Sequence, residues 1–260
     1  VEMLPHLLAG ADRDLVRFLS KTLTDRLKAI LLNTTVAGAK IQKNGVKVTF
    51  QGKDEKPHSQ LFQRVLVAVG RRPYSEGLGL EAAGVEQDGQ GRVTVDDHLR
   101  TNVEGVYAIG DLVAGPMLAH KASAEGIAAA ESIAGKPGDV NYDSIPSIIY
   151  TWPEVACVGL TEEQVKEREI PYDASTFPFA GVGRARCLGE ASGFVKLISQ
   201  AKSGRVLGVH IIGPRASDII AECGLAMALG AGIEDIADTV HGHPTFAEGL
   251  QEAAMTALHK

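Results

Sequence analysis

The chain has 260 residues, room for one large domain or two ordinary ones at roughly 150 residues each, and enough to bury a core without disulfide staples. Hydrophobic residues make up 45% and charged residues 22%, which excludes a disordered tail and a coiled coil. With 26 Lys and Arg against 32 Asp and Glu the net charge is −6, a sign that repels phosphate backbones, so nucleic acid is not an expected partner.

No run of about 18 uncharged apolar residues occurs, and the N-terminus lacks the basic, apolar, small-residue order of a signal peptide, so a cytoplasmic protein with no membrane association is expected. Cys157, Cys187 and Cys223 are odd in number and widely spaced. That pattern suits reduced, buried thiols better than a disulfide framework or a zinc cage, and no metal site is expected.

Val1-Glu2 reads as a strand stub. Asp12 and Asp14 then occupy a first helical turn, with Leu15, Phe18, Leu19, Leu23 and Leu27 recurring on one face of an amphipathic helix. The runs 36–42 and 46–50, separated by Asn44-Gly45, predict an antiparallel hairpin with a type I′ turn. Residues 53–60 read as a polar loop. Residues 64–69 are apolar at nearly every position, as in a strand covered on both faces, and 106–109 read the same way, stopping at Gly110-Asp111.

From 116 to 133 small residues crowd a helix closed by Gly135 and Pro137, and such a helix admits close approach to its backbone. Residues 135–143 are the linker candidate. Beyond them the texture is α+β. Strands are predicted at 145–150 and 155–159, and a helix at 161–167 with the Thr161/Gln164 capping-box spacing. A hairpin follows over 194–199 and 206–212, then helices at 216–229 and 233–240, the segment His241-Gly-His-Pro-Thr-Phe-Ala-Glu248, and a last helix.

Three features could carry chemistry. His243 with Glu248 five residues on is a minimal general acid/base pair, because imidazole titrates near neutrality and a carboxylate can hold its tautomer. Thr245 and Glu248 are also spaced as a capping box, which would commit Glu248 to a helix terminus with no catalysis. Asp111, at a strand end facing the small-residue helix, could accept from ligand hydroxyls or could cap its own helix. Glu2 could bind ribose hydroxyls of a dinucleotide, although an acidic residue at that position carries no information alone. Gly77-x-Gly79 and Gly181-x-Gly183 both lack the third glycine and the preceding strand of a dinucleotide fingerprint, so the phosphate-binding turn of any such site must lie outside this chain.

Read together, Val65-Leu-Val-Ala-Val-Gly-Arg-Arg-Pro73, Thr101-Asn-Val-Glu-Gly-Val-Tyr-Ala-Ile-Gly-Asp111, Pro116-Met-Leu-Ala-His-Lys-Ala122 with Glu125-Gly126, Ile145-Pro-Ser-Ile-Ile-Tyr-Thr151 and His243-Pro-Thr-Phe-Ala-Glu248 resemble the flavin-dependent pyridine nucleotide disulfide oxidoreductases, nearest to their lipoamide-specific branch. The match lines up with the C-terminal part of that family. The N-terminal FAD fingerprint, the redox-active Cys-x4-Cys pair and the glycine turn of the NAD domain are absent, which implies a fragment cut inside the second strand of the NAD domain.

The resemblance implies α/β plus α+β architecture: residues 1–72 as the C-terminal part of an NAD-binding domain, 73–140 as the C-terminal part of an FAD/central domain, and 141–260 as an α+β dimerisation domain. Asp111 would bond the FAD ribityl chain, with Met117, Leu118, Ala119 and His120 lining the flavin. Glu2 would bind the NAD ribose, with Val36 and Gly70 near the nucleotide. His243, oriented by Glu248, would exchange a proton with dihydrolipoamide in the other subunit of a homodimer. The intact parent would oxidise dihydrolipoamide with NAD, working with the lipoyl domain of a 2-oxoacid dehydrogenase complex. The chain by itself would bind neither cofactor tightly and would be inactive. A glutathione- or mercuric-reductase-like member and a non-catalytic dimerisation module are the alternatives. Against them stand Glu2, where NADP use would want basic residues, and a C-terminus with no Cys after Cys223.

Overall fold

Asp12 and the apolar positions after it dictate the first element. In the computed structural model, which describes residues 1–53 and 56–259, helix α1 (Arg13–Thr24) opens where the Asp12 carboxylate accepts the Asp14 N–H as an N-cap. Leu15 and Leu19, one turn apart, are buried. Strands β1 (Thr34–Gln42), β2 (Gly45–Gly52) and β3 (His58–Phe62) follow as an antiparallel meander in that order.

The hairpin stands where Asn-Gly predicted it, but the turn differs. It is made by Lys43 and Asn44, neither at positive φ, while Gly45 pairs with Gln42 inside the ladder at φ +143°. A Cβ on Gly45 would come 2.2 Å from the Phe62 carbonyl oxygen. The glycine is there for the close approach of β3, and no type I′ turn forms. β3 itself falls partly in the expected polar loop. His58-Ser59-Gln60 is polar because this edge strand is largely exposed to water.

Residues 64–69 form no strand, contrary to expectation. Val65, Leu66, Val67 and Val69 are 44, 91, 74 and 91% exposed. A strand buried on both faces exists only between ladder partners, and among the described residues none pairs with this segment. Residues 106–109 likewise make only an isolated bridge, Tyr107 to Arg100.

The chain divides into two compact units, Val1–Leu66 with the residues from Asp143 onward, and Val67–Tyr142. In the second unit helix α2 (Ala119–Ile133) starts three residues later than predicted, because Leu118 is extended at its N-cap. Its Ala128 and Ala129 pack with Leu99, Val95, Tyr107 and Val140. What approaches the small-residue helix is the chain itself: a Cβ on Gly138 would lie 2.1 Å from the Ala128 carbonyl oxygen.

From Asp143 onward come β4 (Ser147–Ile149), β5 (Glu154–Gly159), α3 (Glu162–Glu167), β6 (Tyr172–Pro178), α4 (Gly183–Leu188), β7 (Phe194–Gln200) and β8 (Val206–Gly213). Helices α5 (Ala216–Leu229), α6 (Ile233–Asp238) and α7 (Glu248–Leu258) complete the chain. The five strands form one antiparallel sheet in the order β4-β5-β8-β7-β6. The capping box at Thr161 and Gln164 is complete. Strand β6 and helix α4 were not predicted.

Period-2 alternation divides the sheet between two layers. Ala156, Val158, Val195, Leu197, Val209 and Ile211 join the main core with α5 and α7. Val155, Cys157, Phe194 and Ile212 point the other way, onto Leu15 and Leu19 of α1. Lys196 and His210 share that second face and are directly paired, with Cys157 next in the row. The fold is mixed α and β as expected, with both sheets antiparallel.

Candidate functional site

The segment after α6 leaves the helical layer and returns to it at α7. Phe246 anchors the return, 9% exposed and edge-on to Phe179. Between these points His243 projects outward, its side chain 76% exposed, and the His243–Pro244 peptide is cis. The His243 Nδ1 lies 2.7 Å from Glu248 Oε1, so Nδ1 carries the proton and donates it to the carboxylate, leaving Nε2 as an acceptor.

Glu248 makes two contacts at once, and the expected Thr245/Glu248 capping box does not form. Its Oε2 accepts the Thr245 N–H at 2.7 Å while Oε1 holds the imidazole. Thr245 supplies only this backbone half of a box. Its buried Oγ1 has no partner, and the N-cap of α7 is Ala247. Burial opposes ionisation of Glu248, but the bonds from His243 and the Thr245 N–H outweigh it and hold the carboxyl below its usual range. An ionised acceptor at Nδ1 fixes the tautomer and leaves Nε2 facing outward as the acceptor.

Asp111 lies in a short 3-10 turn, Gly110–Leu112, with its side chain 47% exposed and Arg71 Nη1 3.7 Å from Oδ2. It does not cap α2: the N-cap of that helix is Leu118, with no side-chain cap. Met117 and Leu118 are half-buried, and Ala119 and His120 exposed, around this uncapped N-terminus. Gly110 is clamped from both sides by α2. Glu125 Oε2 accepts its N–H at 2.7 Å, and Lys121 Nζ donates to its carbonyl at 3.1 Å. Lys121 and Glu125, wholly buried, pair with each other at 2.9 Å, and Tyr142 donates to Glu125 at 2.9 Å. An exposed carboxylate beside uncapped helix N–H groups has the acceptor and donor chemistry to meet the hydroxyl chain and ring edge of a flavin.

Glu2 is half-buried, and its Oε1 accepts the Leu4 N–H at 2.9 Å. Its main chain bonds Leu31 and Thr34. Val36 is exposed at the bulge in β1, and Gly70 is exposed at φ +107°. A carboxylate acceptor fits ribose hydroxyls. Glu2, Val36, His243 and Glu248 lie in one compact unit, while Gly70, Asp111 and residues 117–120 lie in the other.

One cluster had no signal in the sequence. Lys196, 2% exposed, donates to Asp12 at 3.0 Å and to Asp14 at 2.5 Å, and pairs with Glu162 at 2.6 Å. Asp12 is fully buried and also accepts the Glu162 N–H. It is one carboxylate doing three jobs: N-cap, ion pair and tether of α3. Beside it, burial pushes His210 toward its neutral form, with Nε2 donating to the Leu160 carbonyl at 2.9 Å. Burial raises Cys157 to about 12 and raises Cys223 as well, so neither is a ready thiolate, whereas Cys187 is exposed, against the expectation of buried thiols.

Among the described residues no helix is long and apolar enough to cross a membrane. Comparison with known proteins gives two family matches: the pyridine nucleotide-disulphide oxidoreductase model over residues 1–126 and the pyridine nucleotide-disulphide oxidoreductase dimerisation domain over 145–254. The chain is 45% identical over 255 residues to a dihydrolipoyl dehydrogenase from Cupriavidus necator, a match covering 98% of this chain and 54% of that protein. It is 44% identical to a mitochondrial dihydrolipoyl dehydrogenase from Caenorhabditis elegans, covering 99% of this chain and 52% of the relative. The chain thus spans about half the length of the curated relatives it matches. Among solved structures it superposes on LpdA from Mycobacterium tuberculosis with a TM-score of 0.88 at 26% identity, covering 97% of this chain and 55% of that one. From these matches along both of its portions, the chain belongs to the pyridine nucleotide-disulphide oxidoreductase family.

Proposed function

We propose that this chain supplies the C-terminal portion of a dihydrolipoamide dehydrogenase: the acid/base pair, the dimerisation domain, and the carboxylates that meet FAD and NAD. The observation that carries the reading is the 2.7 Å contact of His243 Nδ1 with Glu248 on a ring that is 76% exposed. An exposed imidazole with its outer nitrogen unprotonated is built to take a proton from something that arrives.

In this reading the His243 Nε2 accepts the dihydrolipoamide thiol proton, the thiolate attacks a redox disulfide supplied from outside this chain, that disulfide is reduced to a dithiol as the lipoamide disulfide closes, and Glu248 stabilises the imidazolium that results. A flavin held at Asp111 and the start of α2 would supply the two-electron chemistry that links the thiols to NAD. Asp111 would accept a ribityl hydroxyl, Met117 to His120 would present the start of α2 to the ring, and Glu2 would accept from the NAD ribose, with Val36 and Gly70 alongside. The domain division is 1–72 for the NAD portion, 73–140 for the FAD portion and 141–260 for the interface. The enzyme acts as a homodimer and serves the lipoyl domain of a 2-oxoacid dehydrogenase complex in the cytoplasm or, as in the worm relative, in mitochondria. The names of the relatives favour this reading over a glutathione- or mercuric-reductase-like one.

The test uses the full-length enzyme containing this chain. His243→Gln lowers dihydrolipoamide-dependent NAD reduction by about 10² to 10⁴. NADH oxidation by an artificial acceptor, which needs flavin but no thiol deprotonation, stays near its original rate. Equal loss of both activities, or of neither, refutes the acid/base assignment.

A further inference from the structure

A second histidine–carboxylate pair stands two residues before the first, with the opposite exposure. The His241 side chain is 4% exposed, against 76% for His243. A group so enclosed cannot meet a substrate, so its work is done on its neighbours.

Its contacts point to what that work is. His241 Nε2 lies 2.9 Å from Glu222 Oε1 on α5, and Nδ1 lies 2.8 Å from the Thr239 carbonyl, the last residue before the loop. A carboxylate and a carbonyl are both acceptors, so an imidazolium donates to both and a neutral ring to one of them at a time. The same Thr239 carbonyl accepts Gln251 Nε2 at 2.8 Å, and that amide also reaches the Ala237 carbonyl at 3.1 Å. Gln251 sits on α7 one turn beyond Glu248. The backbone leading to His243 is therefore held to α5 through His241 and Glu222, and to α7 through Gln251. Among the described residues the His243 ring has its hydrogen bond to Glu248.

We propose that His241 is the positioning residue of the site: bound between Glu222 and the Thr239 carbonyl, it sets the course of residues 239–243 so that the exposed His243 ring meets Glu248. The inference rests on the acid/base reading of His243 and adds a residue that acts on it through the backbone. It also explains the spacing. A buried anchor two residues from an exposed base lies on the same loop, close enough to fix it and far enough to stay out of the substrate's path.

The test is imidazole nitrogen NMR on this chain labelled with 15N-histidine, at a pH above the imidazole range. In the native chain His243 shows one tautomer, protonated at Nδ1, with a slowly exchanging bonded proton. In His241→Leu and in Glu222→Leu the population bonded to Glu248 falls by about tenfold or more, the loss of one charge-assisted bond. Glu222 is a partly exposed residue on the helix surface, so its replacement leaves the fold intact and serves where His241→Leu does not fold. Glu222→Gln keeps the His243 signature, because its amide can donate to Nε2 while Nδ1 still donates to Thr239. Loss of the signature in Glu222→Gln would assign the effect to charge and overturn positioning. Retention in both leucine variants, with loss in a Glu248→Gln control, overturns the role of His241 alone. Retention in the control too overturns the His243–Glu248 pair beneath it.

Discussion

Replacing Lys121 with Met isolates a carboxylate inside the second unit, and the structure sets the cost. Lys121 and Glu125 are both fully buried, 2.9 Å apart, and between them they hold both polar groups of Gly110. Losing the ammonium leaves the Glu125 charge with only the Gly110 N–H and the Tyr142 hydroxyl, a cost of about 3–5 kcal/mol for a broken buried pair. Whole domains are stable by only about 5–15 kcal/mol, so this is a large share for a unit as small as Val67–Tyr142. In the double variant Lys121→Met/Glu125→Leu no charge is stranded. What remains is the desolvation of the Gly110 N–H and C=O, about 1–3 kcal/mol each. The double should therefore cost less than the two singles together, with a coupling of about 2–3 kcal/mol. Urea denaturation followed by circular dichroism measures the cycle, and amide exchange at Gly110 reports whether the turn carrying Asp111 has been released. A Lys121→Met cost below about 1 kcal/mol, additivity in the double, or a Gly110 amide that stays protected would each refute the clamp.

Other outcomes follow from the same geometry. Bonds from Lys166 and Lys196 hold the Glu162 carboxyl down from 4.5 to about 2 against its partial burial, so its contribution to stability is complete above the unfolded value and is lost as pH falls through the window from about 5 to 2. Urea midpoints across that range should fall more steeply for the native chain than for Glu162→Gln, and parallel curves would contradict the assignment. Gly193→Ala should cost about 4 kcal/mol or more, since its φ is +104° and a Cβ would stand 1.8 Å from the Ile212 carbonyl oxygen; an unchanged thermal midpoint would show that the β7–β8 approach is looser than described. Leu225, Leu229 and Val240 are 61, 76 and 93% exposed, so the chain should sediment as a dimer of 27.5 kDa protomers, and a monomer at high micromolar concentration would argue against a self-sufficient dimerisation domain.

Much of the molecule was legible because its causes are local. The amphipathic helix after Asp12, the capping box at Thr161, the β1–β2 hairpin and the helices 216–229 and 248–258 depend on residues within a few positions of one another; that Asp12 stands before the first turn as its N-cap, not within it, came from the structure. His243 and Glu248 were found for the same reason, five residues apart across one loop. Strand β6 was missed because Asp173, Ser175 and Thr176 break any apolar alternation, and only the apolar body of β7 beside it makes Tyr172–Pro178 a strand. Helix α4 was missed because Gly183, Arg184 and Arg186 give no stripe. Residues 64–69 failed the other way. Their apolar composition says what they prefer as neighbours, but a strand is a property of two chains, and none pairs with them among the described residues.

The sequence by itself determined the family, the His243–Glu248 pairing and most of the local hydrogen bonding, since backbone caps and turns are satisfied by side chains a few residues away. Only the tertiary structure decided that Lys196 would sit among Asp12, Asp14 and Glu162, about 180 positions from two of them, and that His241 would face Glu222. A lysine on a strand face is ordinarily a solvated one. It becomes a buried cation only when a helix from elsewhere in the chain lays a carboxylate over it, because the desolvation of either charge alone exceeds what any neighbour in sequence could offset.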